Sequence, residues 1–128
     1  MAYSIMVVDD SDTIRAMMRR ALDMTKLPLD AIIEAKHGQD ALDKLSQVWV
    51  DIVFTDINMP VMDGMQLFAE MKKNPEYSDI PVVIVSTEGS QTRVDELKKA
   101  GISGYLRKPF TPEKIRDIIL ETLGAWNE

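Results

Sequence analysis

The chain has no cysteine, and this absence excludes disulfide bonds, thiolate chemistry and cysteine-ligated metal centres. It also lacks an excess of positive charge, because 15 basic residues are outnumbered by 21 acidic ones and the net charge is -6. Nonspecific binding to nucleic acid or to an anionic membrane is therefore not expected. No apolar run approaches membrane-spanning length and no signal-peptide pattern precedes the first apolar run, so we expect a cytoplasmic protein.

The order of the apolar segments indicates the fold class. The 128 residues suit one compact domain, which we expect to span 1–128. Short runs rich in Val and Ile alternate with segments of helical period, a pattern typical of α/β proteins with a parallel sheet. The predicted strands lie near 4–9, 30–35, 51–55, 80–86 and 103–106. The predicted helices lie near 12–24, 38–47, 64–73 and 91–100, with a fifth that follows Thr111 as its N-cap.

The first predicted helix has an apolar stripe and a basic face. The stripe comprises Ile14, Met17, Met18, Ala21 and Leu22. The arginines that fall largely outside it are Arg15, Arg19 and Arg20. We therefore expect these arginines to be solvated, which leaves the basic face free to meet a partner.

Polar groups follow four of the predicted strands. They are Asp9 with Asp10, Asp56, Ser86, and Lys108. The carboxyl ends of parallel strands meet at one edge of a sheet, and ligands of open α/β sheets bind there. The sequence therefore predicts a site in which three carboxylates, a hydroxyl and an ammonium group converge.

The predicted cluster points to a metal ion and to phosphoryl chemistry. Three converging carboxylates repel one another unless a cation or a shared proton compensates them. Because every candidate ligand is an oxygen, Mg²⁺ is favoured over zinc. An aspartate beside such an ion can act as a nucleophile toward phosphorus, and Asp56 is the candidate. The metal and Lys108 would neutralise charge on the transferred group, and Ser86 would donate a hydrogen bond to it.

Four segments together resemble the receiver domains of bacterial two-component response regulators, most closely the stand-alone chemotaxis regulators of the CheY type. They are VVDD at 7–10, TDINMPVMDG at 55–64, VSTE at 85–88 and GYLRKPF at 104–110. The resemblance covers essentially the whole chain. It implies a flavodoxin-like, doubly wound sheet of five parallel strands in the order 2-1-3-4-5, with five helices, in a single domain.

The resemblance also implies a phosphorylation site and a metal site. Asp56 would accept a phosphoryl group from a sensor histidine kinase or a phosphotransfer domain. Mg²⁺ would be held by Asp10, Asp56 and the backbone carbonyl of Asn58, and Asp9 would act through a water molecule. A cis peptide bond before Pro109 would aim the preceding lysine.

A switch is a further implication of the resemblance. Ser86 occupies the position of the switch hydroxyl and Tyr105 that of the switch aromatic residue, and together they would alter the face made by helix 4, strand 5 and helix 5. Because we expect a single domain without a separate effector domain, a downstream protein target would bind that face. Thr87 departs from the small residue usual after the switch hydroxyl, so the switch could also be Thr87.

Two positions in this family govern the loss of the phosphoryl group, and here they are Asn58 and Glu88. Both match the chemotaxis type, which predicts a phosphoryl group that decays within roughly seconds to minutes without a separate enzyme. The chain would thus catalyse its own phosphorylation and dephosphorylation without being a conventional enzyme.

Other classes of protein use a similar sheet. A phosphohydrolase with an aspartyl-phosphate intermediate would carry Asp-x-Asp and a following Thr, whereas this chain reads Asp56-Ile57-Asn58. A flavodoxin-type carrier would need a phosphate-cradling loop after the first strand, where this chain has acidic residues. A receiver that acts as a phosphorelay shuttle or adaptor outside chemotaxis stays open, because the sequence does not name the downstream contact.

Overall fold

The computed structural model describes residues 2–87 and 91–124, in which five strands alternate with five helices. The strands are β1 (Tyr3–Val8), β2 (Leu29–Ala35), β3 (Ile52–Asp56), β4 (Val82–Ser86) and β5 (Gly104–Arg107). The helices are α1 (Asp12–Met24), α2 (Gly38–Leu45), α3 (Gly64–Lys73), α4 (Gln91–Ala100) and α5 (Pro112–Leu123). The predicted α/β fold is confirmed, although α2 ends two residues earlier than expected. None of the helices in this described part combines the length and apolarity that a bilayer span needs.

The sheet is parallel and its strand order is β2-β1-β3-β4-β5, as the resemblance implied. Every residue of β4 is buried, and β1 and β3 are buried along nearly their whole length. Parallel strands covered on both faces form continuous apolar runs, and the sequences of these three strands fit this pattern. Because the connections leave β1 and β3 on opposite faces, a crevice opens at their carboxyl ends.

Two apolar clusters hold the helices against the two faces of the sheet. Along β1, Ile5 and Val7 join the cluster that includes residues of α1 and α5. Met6 and Val8 join the cluster that includes residues of α2, α3 and α4. Successive side chains of a strand point to opposite faces, so one short apolar strand serves both clusters. Burial of these clusters fixes the strand ends from which the polar residues emerge.

The prediction for α1 was wrong at two positions. Met17 lies in the predicted stripe but is 50% exposed, whereas Arg15 is buried at 6%. The guanidinium group of Arg15 lies inside because it donates to the carboxylate of Glu34 and to the backbone carbonyl of Asp9. A buried charge is tolerated when it is paired and hydrogen-bonded, so periodicity alone misjudged this face.

The connection from β3 to α3 is tightly built. Asp63 caps α3 through a reciprocal pair of hydrogen bonds with Gln66, at 2.8 and 2.9 Å. Gly64 follows, and its N–H donates to the carbonyl of Ile57 at 2.9 Å. A Cβ atom on Gly64 would be forced against the backbone carbonyl oxygen of Asp56. The start of α3 is therefore packed directly onto the end of β3.

The connection from β5 to α5 also follows the sequence-based expectations. The peptide bond between Lys108 and Pro109 is cis. Thr111 is the N-cap of α5, and its hydroxyl accepts a hydrogen bond from the N–H of Lys114 at 3.2 Å. Pro112 occupies the first helical position, where its missing N–H leaves no hydrogen bond unmade. Lys108 directly follows β5, at the carboxyl end of the sheet.

Candidate functional site

Three carboxylates converge at the carboxyl ends of β1 and β3. Asp9 and Asp10 follow β1, and Asp56 is the last residue of β3. Each offers an oxygen atom, and these atoms all lie within 4.8 Å of one another. The convergence predicted from the sequence is present. The three differ in environment, because Asp9 is buried, Asp56 is half-buried and Asp10 is exposed.

Asp9 is held firmly in place. Its N–H donates to the carbonyl of Ala35 on β2 at 3.0 Å. Its carboxylate accepts from the N–H of Ser11 at 2.9 Å through Oδ1, and from the ammonium group of Lys108 at 3.3 Å through Oδ2. Both oxygens of Asp9 therefore already have donors within the protein.

Asp56 has one oxygen in contact with donors and a raised pKa. Its Oδ1 accepts from the N–H of Ile57 at 2.9 Å and lies 3.5 Å from Nζ of Lys108. Burial raises the pKa of Asp56, the nearby Lys108 lowers it, and the negative charge of Asp9 raises it again, so the net shift is upward. None of the hydrogen bonds among the described residues reaches Oδ2.

Lys108 is the one ammonium group that contacts the carboxylate cluster in the described part of the chain. Its side chain extends past β4 to reach two of the three acidic residues. The backbone N–H of Lys108 donates a hydrogen bond to the backbone carbonyl of Ser86 at 2.8 Å. Among the described residues, the three carboxyl groups therefore meet one ammonium group. The exposed carboxylate of Asp10 and an all-oxygen donor set fit a hard divalent cation such as Mg²⁺.

A cavity of about 490 Å³ lies at the carboxyl ends of β3 and β4. It is lined by Ile57, Asn58, Ser86, Thr87 and Arg93. Ser86 is buried at 4%, whereas Thr87 is exposed. Asn58 and Ser86, two of the residues singled out in the sequence, therefore line the same cavity. Arg93 was missed by sequence reasoning, although a basic residue in the first turn of the helix after β4 is a usable signal.

The remaining predicted residues lie elsewhere. Tyr105 is paired with Ile84 in the sheet, packs against the apolar core and lines a separate cavity of about 310 Å³ beside α5. It is not part of the carboxylate cluster. Glu88 lies outside the described residues.

The raised pKa of Asp56 predicts a stability effect. A carboxyl group whose pKa is higher in the folded state stabilises the fold at low pH, and this contribution is lost as the pH rises through the folded pKa. Without divalent cations, Asp56→Asn is therefore expected to stabilise the protein at pH 7, and this gain should shrink as the pH falls toward the ordinary pKa of an aspartate.

Urea unfolding in EDTA at several pH values measures this effect. Asp23→Asn, at an exposed position of α1, is the control and should change stability little. A gain in the Asp56 variant that grows on acidification would contradict the argument.

The comparison with known proteins decides the family. The family model described as "Response regulator receiver domain" matches residues 5–120. The chain belongs to the response regulator receiver family. Its role is that of a phosphoryl acceptor in two-component signalling. The site described above is the acidic cluster of this receiver domain, formed by Asp9, Asp10 and Asp56.

Three relatives illustrate the similarity of this receiver domain to other proteins. The chemotaxis protein CheY homolog of Campylobacter jejuni is 38% identical over 122 residues, covering 94% of this chain and 92% of that protein. The structure of chemotaxis protein CheY4 of Vibrio cholerae matches with a TM-score of 0.81 at 30% identity, covering 95% of this chain and 99% of that one. The receiver domain of the sensor histidine kinase PA1611 of Pseudomonas aeruginosa matches with a TM-score of 0.84, at 19% identity over 98% of this chain and 100% of that one. This receiver is thus closely related to chemotaxis regulators of the CheY type.

Proposed function

We propose that Asp56 is the residue on which this receiver is phosphorylated. The phosphoryl group would come from a sensor histidine kinase or a phosphotransfer domain. The observation that supports the choice is the difference among the three carboxylates. Asp9 has donors on both oxygens, and Asp10 is exposed and has no contact with Lys108. Asp56 is close to Lys108 through Oδ1 and keeps Oδ2 without a donor among the described residues.

The transfer step follows from this arrangement. Oδ2 of Asp56 attacks phosphorus, the bond between phosphorus and the donor histidine nitrogen breaks, and its electron pair stays on that nitrogen, which takes up a proton. The ammonium group of Lys108 stays next to Asp56 and offsets negative charge on the phosphoryl oxygens. The hydroxyl of Ser86 borders the cavity and would donate a hydrogen bond to the bound group.

The proposed cofactor is Mg²⁺, held by Asp10, Asp56 and the backbone carbonyl of Asn58, with Asp9 acting through water. Support comes from the three converging carboxylates, of which Asp9 and Asp56 contact Lys108 and Asp10 is exposed. The Pseudomonas aeruginosa receiver domain was solved with magnesium coordinated in its active-site cleft. When bound, the ion supplies positive charge that stabilises the phosphoryl group during transfer.

The proposed output is altered binding of a downstream protein on the face of α4, β5 and α5, in the control of chemotaxis. Tyr105 lies on β5 beside a cavity that also involves Lys114, Asp117 and Ile118, so a change of its position would reshape this face. The chain would not act as a conventional enzyme. It would catalyse its own phosphorylation and dephosphorylation, with Asn58 and Glu88 setting the rate of loss.

Intact mass spectrometry after incubation with acetyl phosphate and Mg²⁺ tests the phosphorylation site. Wild type should gain the mass of one phosphoryl group with Mg²⁺ and none with EDTA, and Asp56→Asn should gain none in either case. The control Asp23→Asn changes an exposed carboxylate of α1 and should behave like wild type. A mass gain that persists in the Asp56 variant would remove this residue from its proposed role.

A pair of variants identifies the switch hydroxyl. Ser86→Ala should still bind beryllofluoride with Mg²⁺ but lose the resulting change in the amide resonance of Tyr105, because the hydrogen bond that draws the hydroxyl is gone. Thr87→Ala should keep that change, since Thr87 is exposed while Ser86 is buried. Nuclear magnetic resonance spectra of both variants measure it. The opposite pattern would assign the switch to Thr87.

A further inference from the structure

Arg15 has the most enclosed charged side chain outside the carboxylate cluster. Only 8% of it is exposed, and all three of its nitrogens are used. Nε donates to Oε1 of Glu34 at 3.0 Å, Nη1 donates to the backbone carbonyl of Asp9 at 2.6 Å, and Nη2 pairs with the carboxylate of Asp12. A guanidinium group can make three such contacts at once because its donors form a rigid planar fork.

The contact with the carbonyl of Asp9 affects both acidic residues that follow β1. A peptide unit is planar, so the carbonyl of Asp9 lies in one plane with the nitrogen and Cα of Asp10. The backbone N–H of Asp9 donates a hydrogen bond to the carbonyl of Ala35 at 3.0 Å, and the backbone carbonyl of Asp9 accepts one from Arg15. The backbone of Asp9 is thus held on both sides, and the point from which the Asp10 side chain starts is fixed with it.

Arg19 provides a comparison within the same helix. Its Nε donates to the other oxygen of Glu34, Oε2, at 3.1 Å. Its Nη2 donates to the carbonyl of Ile32 at 3.0 Å and does not reach the carboxyl end of β1. Arg15 and Arg19 therefore share Glu34 as an ion-pair partner. They differ in the backbone carbonyl to which they donate, which is that of Asp9 for Arg15 and that of Ile32 for Arg19.

We propose that Arg15 is a positioning residue for the metal site, which sets the carboxylates of Asp9 and Asp10 relative to Asp56 by fixing the backbone at the end of β1. The proposal rests on the proposed binding of Mg²⁺ at this cluster. Arg15 does not itself touch the ion. Residues that hold metal ligands in place commonly change metal affinity by 10- to 100-fold when they are replaced.

Isothermal titration of the full chain with Mg²⁺ tests this role, together with urea unfolding to set a temperature at which every variant is folded. Arg15→Met should raise the dissociation constant for Mg²⁺ about tenfold. The matched control Arg19→Met loses the same partner, Glu34, and should bind Mg²⁺ within about twofold of wild type, a difference of at most about 0.4 kcal/mol in binding free energy. Arg15→Lys keeps the charge but cannot make the three contacts, so its Mg²⁺ affinity should be lowered nearly as much as that of Arg15→Met.

The rate of phosphorylation by acetyl phosphate supplies a second readout. A fault in positioning should appear as a higher Mg²⁺ requirement, with the rate of Arg15→Met recovering toward that of wild type at saturating Mg²⁺. Equal loss of Mg²⁺ affinity in Arg15→Met and Arg19→Met, or full recovery in Arg15→Lys, would overturn the positioning role. Absence of Mg²⁺ binding and phosphorylation in wild type would instead overturn the proposed function, and this inference with it.

Discussion

Gly64→Ala is expected to destabilise the fold by about 3 kcal/mol, the upper range for forcing an extra methyl group into a packed interior. The added Cβ would meet the carbonyl oxygen of Asp56 and lie 3.1 Å from Cα of Ile57, and both are backbone atoms that cannot rotate away. Alanine is favoured over glycine in a helix by roughly 0.5–1 kcal/mol, which is too little to offset this clash. The requirement for glycine here is one of space.

The same variant should be phosphorylated at least tenfold more slowly. Relief of the clash displaces the end of β3, and small misplacements of reacting groups lower reaction rates strongly. Urea unfolding and the rate of mass gain with acetyl phosphate measure the two effects. Gly104→Ala is the matched control, since its Cβ would meet Val83 at 3.5 Å, an ordinary contact. Unchanged stability and rate in the Gly64 variant would show that the connection from β3 to α3 yields easily.

Lys108→Gln is expected to slow phosphorylation by about 100-fold, the lower range for loss of one preorganised group that stabilises transition-state charge. The ammonium group lies 3.3 Å from Asp9 and 3.5 Å from Asp56, and no other ammonium group in the described residues contacts this cluster. Glutamine keeps a hydrogen-bond donor but removes the positive charge. The transferred phosphoryl group would therefore lose its cationic protein partner.

Initial rates with acetyl phosphate at saturating Mg²⁺ measure this loss. Lys73→Gln is the control, because Lys73 pairs with Glu70 at 3.1 Å on the exposed surface of α3 and should not affect the reaction. A Lys108 variant that reacts as fast as wild type would show that the ammonium group has no part in the transfer.

The fold and the carboxylate cluster could be read from the sequence because both depend on local patterns. Buried parallel strands are short, uniformly apolar runs, and β4 stands out for this reason. Asp56 and Lys108 stand at or just after strand ends, and parallel strands bring such positions to one edge whatever the details of packing. The strand order itself came from the family resemblance, since periodicity does not determine which strands are neighbours.

Other features depend on contacts between distant parts of the chain and could not be read in this way. Arg15 looked like a surface arginine, and its burial depends on Glu34 arriving from β2. Gly64 looked like an ordinary residue at a helix start, and its need for space depends on the approach of β3. In each case the informative neighbour lies many residues away.

Crystals soaked with Mg²⁺ and beryllofluoride would show which carboxylate accepts the phosphoryl group, because the anion mimics a phosphoryl group on a carboxylate. We expect beryllium bonded to Oδ2 of Asp56 and a metal ion in contact with Asp10, Asp56 and the carbonyl of Asn58. Density for the anion on another carboxylate, or an empty cleft at saturating concentrations of both ions, would contradict this expectation.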